Sequence, residues 1–248
     1  PTSSVSEPPP PTGVLFTGPT GFFGPFLLAS LLAHTSCTYH VLTRASDSAG
    51  GLERIQTAFR RSRVWTPRLE HQVQQRVQVV CGDISRPQCG LTADRWHLLS
   101  SQVQTVMHNA AEVNYVSSYE ALRAANVEGT RELLRFAWSG GRKAFHFISS
   151  TVIFGWSAQG ILRETENNAA MQSLDFGYAQ SKWVAEQLVF AAERQGLPVR
   201  VYRPSFLTAS TAGVGSTDDI SIRLLAFMIN HRIAVNAANQ ISFLPADI

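Results

Sequence analysis

Tyr178 and Lys182 stand four residues apart in the run Tyr178-Ala179-Gln180-Ser181-Lys182-Trp183-Val184-Ala185-Glu186, a spacing that puts both side chains on one face of a helix. The pair has a chemical use. A phenol with a reference pKa of about 10 is a poor acid at neutral pH, and an ammonium beside it favours the phenolate and brings it toward the working range. Tyr178 would give a proton to a carbonyl oxygen while a hydride reaches the carbonyl carbon. Lys182 would also hold the sugar of the hydride donor. A hydroxyl should polarise the same oxygen, and Ser149, Ser150 and Thr151 offer three at the end of the apolar run 144–148. Successive strand residues point to opposite faces, so only one or two of them reach a common cleft. Ser150 is the first candidate and Thr151 the reserve. Tyr-x-x-x-Lys is a common accident, so the elements around it must supply the rest of the case.

A hydride donor needs a seat, and the stretch Val14-Leu15-Phe16-Thr17-Gly18-Pro19-Thr20-Gly21-Phe22-Phe23-Gly24 offers one. A short apolar run breaks into three glycines and resumes as the helical pattern of residues 26–32, which predicts strand, tight turn and helix. The first amides of such a helix have no internal partner and carry partial positive charge, so a pyrophosphate fits there. Gly18, Gly21 and Gly24, with Thr20, Phe22 and Phe23 between them, are the expected contacts. The Gly-x-x-Gly-x-x-Gly spacing differs from the commoner Gly-x-Gly-x-x-Gly. Residues 39–44 predict a second buried strand, completing a βαβ unit. An acidic residue about 20 positions beyond the glycines would hold a ribose 2′-hydroxyl. Arg44 stands there instead, and its guanidinium suits a 2′-phosphate, which favours NADP over NAD.

The remaining elements follow in order. Residues 52–65 predict an amphipathic helix with Arg54 as a second phosphate contact. Residues 77–84 form a third strand whose end lays Asp83 and Ile84 beside the adenine. Residues 103–108 form a fourth strand, and Asn109, Ala110 and Ala111 let a cofactor cross its C-terminal edge, where open α/β sheets bind ligands. Residues 119–138 predict one long helix with Asn126 facing the sheet, as a structural bridge or a cofactor contact. Ala144 to Ile148 is a fifth strand. His108 and His146, at strand ends, read as structural histidines. Leu224, Leu225, Phe227 and Met228 read as a buried helix face, and residues 211–219 as a loop near the cleft. The expected fold is therefore α/β: a Rossmann-like doubly wound parallel sheet with helices on both faces over residues 13–206. A Pro-rich linker should occupy 1–12, and a partial, truncated substrate-binding region 207–248.

Composition narrows the function. With 248 residues, 44% hydrophobic and 16% charged, the chain has ample material for a core. A net charge of +3 with scattered arginines predicts no nucleic-acid partner. Three cysteines without metal spacing predict reduced thiols, no metal and a cytoplasmic setting. No apolar run of about 18 residues predicts a membrane span.

The order Thr-Gly-x-x-Gly-Phe-x-Gly, Ser-Ser-x-x-Ile-Phe-Gly, Tyr-x-x-x-Lys and Tyr202-Arg203-Pro204 resembles the extended short-chain dehydrogenase/reductase superfamily. More narrowly, residues 40–45, 52–65, 82–87, 108–115, 122–130 and 177–186 are similar to thioester reductase domains. Those domains terminate many non-ribosomal peptide and polyketide synthetases and carboxylic acid reductases. In that pattern the catalytic hydroxyl lies five residues before the glycine, which maps onto Ser150. Pro204 and Phe206 join the cofactor contacts on the same basis. The resemblance implies NADPH-dependent reductive release of an acyl or peptidyl chain held as a thioester on a carrier domain's phosphopantetheine arm. The carrier would belong to the same polypeptide, and the excised domain would be a monomer. One hydride gives an aldehyde and a second an alcohol. Two other readings stay open: a nucleotide-sugar epimerase or dehydratase of the same superfamily, and a non-catalytic NADP-binding sensor or interaction module.

Overall fold

Val14 and Phe16 are buried on one face of their strand and Leu15 on the other, so this five-residue segment has core on both sides. Only a central strand covered by helices above and below has that environment. In the computed structural model, which describes residues 11–155, 163–165, 170–215, 220–234 and 242–248, it is β1 (Gly13–Thr17). It pairs in parallel with β2 (Thr38–Thr43) on one side and β4 (Thr105–His108) on the other. Beyond them lie β3 (Val77–Cys81), then β5 (Ala144–Ile148) and β6 (Val199–Tyr202). The order β3-β2-β1-β4-β5-β6 is that of a doubly wound dinucleotide fold, in which the strand order reverses between β1 and β4 and opens a crevice at their C-terminal ends.

Two apolar layers flank the sheet. On one face, Phe16, Val41 and Tyr39 meet Leu28 and Leu32 of α1 (Gly24–His34), Ile55 and Phe59 of α2 (Ser48–Arg61) and Leu69 and Val73 of α3 (Pro67–Arg76). The other layer packs Leu15, Val106, Phe145 and Phe147 against α4 (Ala93–Gln102), α6 (Gly129–Trp138) and α7 (Gly177–Arg194).

Several boundaries differ from expectation. The helix expected at 52–65 is α2, which starts four residues earlier because the Asp47 carboxylate accepts the Gly50 N–H at 2.8 Å and caps it. The third strand ends at Cys81, where Gly82 begins the turn that carries Asp83. The long helix of 119–138 is continuous but divided: α5 (Tyr119–Arg123), one π-turn (Ala124–Glu128) and α6. Beyond the six-stranded sheet, β7 (Phe206–Thr208) pairs with β8 (Phe243–Pro245), and α8 (Ile220–His231) lies between them in the chain. The buried face expected on α8 is not found. Leu224, Leu225 and Phe227 are half exposed, and Phe227 meets the His231 ring of its own helix. Of the linker expected at 1–12 and the loop at 211–219, residues 1–10 and 216–219 lie outside the described residues.

Candidate active site

The C-terminal ends of β1, β2, β4 and β5 open into one cleft of about 980 Å³, at the upper end of the volumes typical of small-molecule sites. The glycine turn forms its floor at one end. Gly18 has φ +75°, and a Cβ there would stand 2.8 Å from the Ala110 backbone, so only glycine lets β1 turn beside β4. A Cβ on Gly24 would sit 2.0 Å from the Gly18 carbonyl oxygen; this glycine seats helix α1 on the turn and does not itself line the cleft. Gly21 is different: it lines the cleft, and the nearest atom to an added Cβ is at an ordinary contact distance of 3.7 Å. Phe23 precedes the helix without any side-chain cap, and no acidic residue occupies the first turn. The unpartnered amides beside a glycine on the cleft fit a bound pyrophosphate.

Thr20, Phe22, Phe23, Arg44, Asp83, Ile84, Asn109, Ala110, Ala111, Pro204 and Phe206 all line the cleft, as expected. Arg44 and Asp83 share its β2–β3 end. Burial pushes the Asp83 carboxyl up, but hydrogen bonds from Ser85 and the charges of Arg44 and Arg86 outweigh it and hold the group below the usual carboxylate range. Besides Gly24, two further expected contacts are not in the lining. Arg54 is exposed on α2, because the helix begins at Ser48 and its buried stripe runs through Gly51, Ile55 and Phe59. Asn126 is buried inside the π-turn as a bridge. Its amide donates to the Glu112 carbonyl and the Ser181 hydroxyl, both at 2.9 Å, and its oxygen accepts the Glu112 N–H at 2.7 Å.

At the β5 end stand Ser150, Tyr178 and Lys182. The three adjacent hydroxyls separate cleanly. Ser149 also borders the cleft, but its Oγ is committed to a Glu186 carboxylate oxygen at 2.5 Å. Thr151 begins a 3₁₀ turn and is absent from the lining. Ser150 remains on the cleft, its Oγ accepting the Val152 N–H at 3.3 Å. Lys182 donates to the Ile148 carbonyl at 2.6 Å and lies over the Phe147 ring at 4.2 Å. Tyr178 is buried, edge-on to Tyr115 with ring centroids 5.5 Å apart.

Electrostatics correct the expected phenolate. Burial, then the neighbouring Tyr115, pushes the Tyr178 hydroxyl above its ordinary value. Burial drives the Lys182 ammonium down to about 7, against the Glu186 carboxylate, which raises it. The loss of water around the pair outweighs any attraction between them, so Tyr178 holds its proton.

Three features were missed in the sequence. Tyr115, in the loop after β4, walls the cleft against Phe176 and Tyr178. Glu186, one helical turn beyond Lys182, pairs with Arg203; a carboxylate on the buried face of the Tyr-Lys helix was its signal. His108 is the structural histidine expected, but it also links distant parts: Nδ1 meets the Thr17 hydroxyl at 2.9 Å and Nε2 the Thr130 hydroxyl at 3.0 Å. Thr130 in turn donates to the Asn126 carbonyl. His146 meets the Tyr202 hydroxyl at 2.8 Å, away from the cleft lining.

Comparison with known proteins gives a consistent picture. Residues 16–248 match the family described as male sterility protein, a family of NAD-binding domains. The chain is 36% identical over 238 residues to one of the linear gramicidin synthase proteins of Brevibacillus parabrevis, covering 94% of this chain and 5% of that protein. It is 35% identical over 254 residues to the L-2-aminoadipate reductase large subunit of Penicillium chrysogenum, covering 94% and 18%. Among solved structures, the terminal R domain from the myxalamid PKS-NRPS biosynthetic pathway superposes with a TM-score of 0.89 at 36% identity, covering 95% of this chain and 59% of that one. This chain thus spans only a small part of the curated relatives it matches. No helix among the described residues is long and apolar enough to cross a membrane.

Proposed function

This chain belongs to the male sterility protein family of NAD-binding domains, and from that premise we propose that it is an NADPH-dependent reductase releasing an acyl or peptidyl chain from a carrier-bound thioester as an aldehyde. The observation that carries the reading is the meeting of Ser150, Tyr178 and Lys182 in one cleft with the glycine turn and Arg44. The relatives are named as a reductase, a gramicidin synthase and a terminal R domain, which supports reduction at the end of an assembly line. A carrier domain in the same polypeptide is the expected partner.

When bound, the reduced nicotinamide supplies a hydride. The chain's own residues do the rest. Gly21 and the first amides of α1 hold the pyrophosphate, Arg44 the 2′-phosphate, and Lys182 the nicotinamide ribose. Ser150 and Tyr178 hydrogen-bond the thioester carbonyl oxygen, and Tyr178 transfers its proton to that oxygen as the new C–H bond forms. The hemithioacetal then breaks its C–S bond. Its hydroxyl proton leaves with the sulfur as a free thiol, and the carbonyl is restored as an aldehyde. A second hydride and proton would give the alcohol.

The test mixes the protein with NADPH and an acyl-pantetheine thioester and follows loss of nicotinamide absorbance. Tyr178→Phe should lower the rate by about 10²- to 10⁴-fold. Tight NADPH binding with no thioester-dependent consumption would mean a cofactor-binding module without this activity.

A further inference from the structure

Glu186 has no solvent exposure, and a buried carboxylate is retained only where its partners are complete. Its oxygens accept the Arg203 Nε–H at 3.1 and 3.2 Å, pair with Arg203 Nη2 and accept the Ser149 hydroxyl at 2.5 Å. Arg203 is itself fixed. Its guanidinium lies over the Phe154 and Phe190 rings at 5.2 and 5.9 Å and donates to the Glu164 carbonyl at 2.7 Å. Three elements meet at this carboxylate: α7, the end of β5 and the end of β6.

Lys182 and Glu186 follow one another on the same face of α7 and hold the last residue of β5 and the residue after it. Lys182 takes the Ile148 carbonyl and Glu186 the Ser149 side chain. The next residue is Ser150. We propose that Glu186, locked by Arg203, is a positioning residue of the reductase: through Ser149 it fixes the end of β5 against α7 and so sets Ser150 opposite Tyr178. The proposal rests on the reductase reading above.

The carboxylate also faces Lys182 electrically. Around Lys182 stand Tyr178 and Glu186 on its own helix, buried His108 from β4, Tyr115 from the loop after β4, and Arg203 beyond Glu186. Glu186 is the carboxylate of that set, and it raises the Lys182 pKa against burial. Removing its charge should let Lys182 lose its proton at lower pH.

The experiment compares wild type, Glu186→Gln and Ser149→Ala by thioester-dependent NADPH oxidation from pH 5.5 to 9, with NADPH affinity from cofactor fluorescence. Ser149→Ala should lower kcat by about 10- to 100-fold, the range expected for a misplacement of up to about 1 Å, with NADPH affinity within about threefold of wild type. Glu186→Gln keeps the shape and an acceptor for Ser149. It should move the alkaline limb of the rate profile to lower pH, so that its deficit shrinks below neutrality. If Glu186→Gln does not fold, Glu186→Gln/Arg203→Met removes the stranded guanidinium charge and carries the same expectation. An active wild type whose variants keep its kcat and its pH profile would overturn the positioning role. A uniform loss at every pH in the Glu variants, with Ser149→Ala unaffected, would also overturn it and leave a structural ion pair. A wild type inactive on every thioester would instead refute the reductase reading.

Discussion

Gly177 opens α7 one residue before Tyr178, and the chain leaves no room beside it. A Cβ there would lie 2.3 Å from the Tyr119 nitrogen, 2.4 Å from the Ser118 carbonyl carbon and 2.6 Å from the Ser117 oxygen. All three are backbone atoms at the start of α5, so no side chain can swing aside. Real Cβ contacts rarely fall below 3.4 Å, so Gly177→Ala must part the two helix ends by about 1 Å, the difference between 3.4 and 2.4. Overpacking of this kind costs about 1–3 kcal/mol, or roughly 2–4 °C of melting temperature per kcal/mol for a chain of this size. The larger effect should be catalytic, because Tyr178 moves with the helix end while Ser150 stays with β5. A 1 Å misplacement is worth about 10²-fold in rate. Single-turnover reduction of an acyl-pantetheine thioester with saturating NADPH reads the chemical step directly, and thermal melting reads stability. A variant that melts several degrees lower yet reacts within about threefold of wild type would refute the claim that the α5–α7 contact places Tyr178.

Arg44→Asp should cut the preference for NADPH over NADH by roughly 10- to 100-fold, the worth of one charge-assisted contact; an unchanged ratio of the two dissociation constants would remove the 2′-phosphate assignment. Asn126→Ala removes both side-chain bonds to the Glu112 backbone and one of the two made by the Ser181 hydroxyl, whose bond to the Tyr178 carbonyl remains, at about 0.5–1.5 kcal/mol for each hydrogen bond lost. Melting should therefore fall while NADPH affinity holds; the reverse pattern would make Asn126 a direct cofactor contact. His108 titrates at about 3 because burial, then Lys182, disfavours its charge. Its folded value lies below the unfolded value of about 6.5, so stability is whole above pH 6.5 and falls toward pH 3, by about 1.4 kcal/mol per pH unit from this residue. Urea midpoints at pH 7, 6, 5 and 4 should show a flatter acid limb for His108→Gln than for wild type, and parallel limbs would contradict it.

What could be read in advance was local. The apolar run Val14-Leu15-Phe16, the glycines that follow, and the hydroxyls after Ile148 are each set within a few residues. The first five strands, the turn and the cleft edge were therefore legible, whereas β6, β7 and β8 were not read. Arg54 was placed near the start of a helix begun at Leu52, whereas the cap at Asp47 starts the helix four residues earlier and leaves Arg54 in its second turn. Helix α3 escaped because Pro67–Arg76 is mostly polar, with only Leu69 and Val73 buried. Asn126 in the π-turn bonds Ser181, 55 residues away, and no local pattern announces such a partner. The Glu186–Arg203 pair is likewise a meeting of helix and strand end that only the folded sheet creates.

The correction at Tyr178 changes what the site is suited to do. A phenol drawn toward phenolate would serve a base, taking a proton from an alcohol during oxidation. Reduction needs the opposite: a proton held on oxygen until the hydride arrives, then released to the new alkoxide. Burial beside Tyr115 keeps that proton on Tyr178, and the same burial leaves Lys182 near its titration point at about 7. An anionic cofactor entering the cleft would pull Lys182 back toward its charged form, and a charged Lys182 lowers the cost of the phenolate that forms after transfer. Burial thus holds the proton on Tyr178, and a bound anionic cofactor would ease its departure. The sign can be measured: NADP binding should take up a proton near pH 7, seen as a buffer-dependent binding heat, and Lys182→Met should abolish that uptake while wild type retains it.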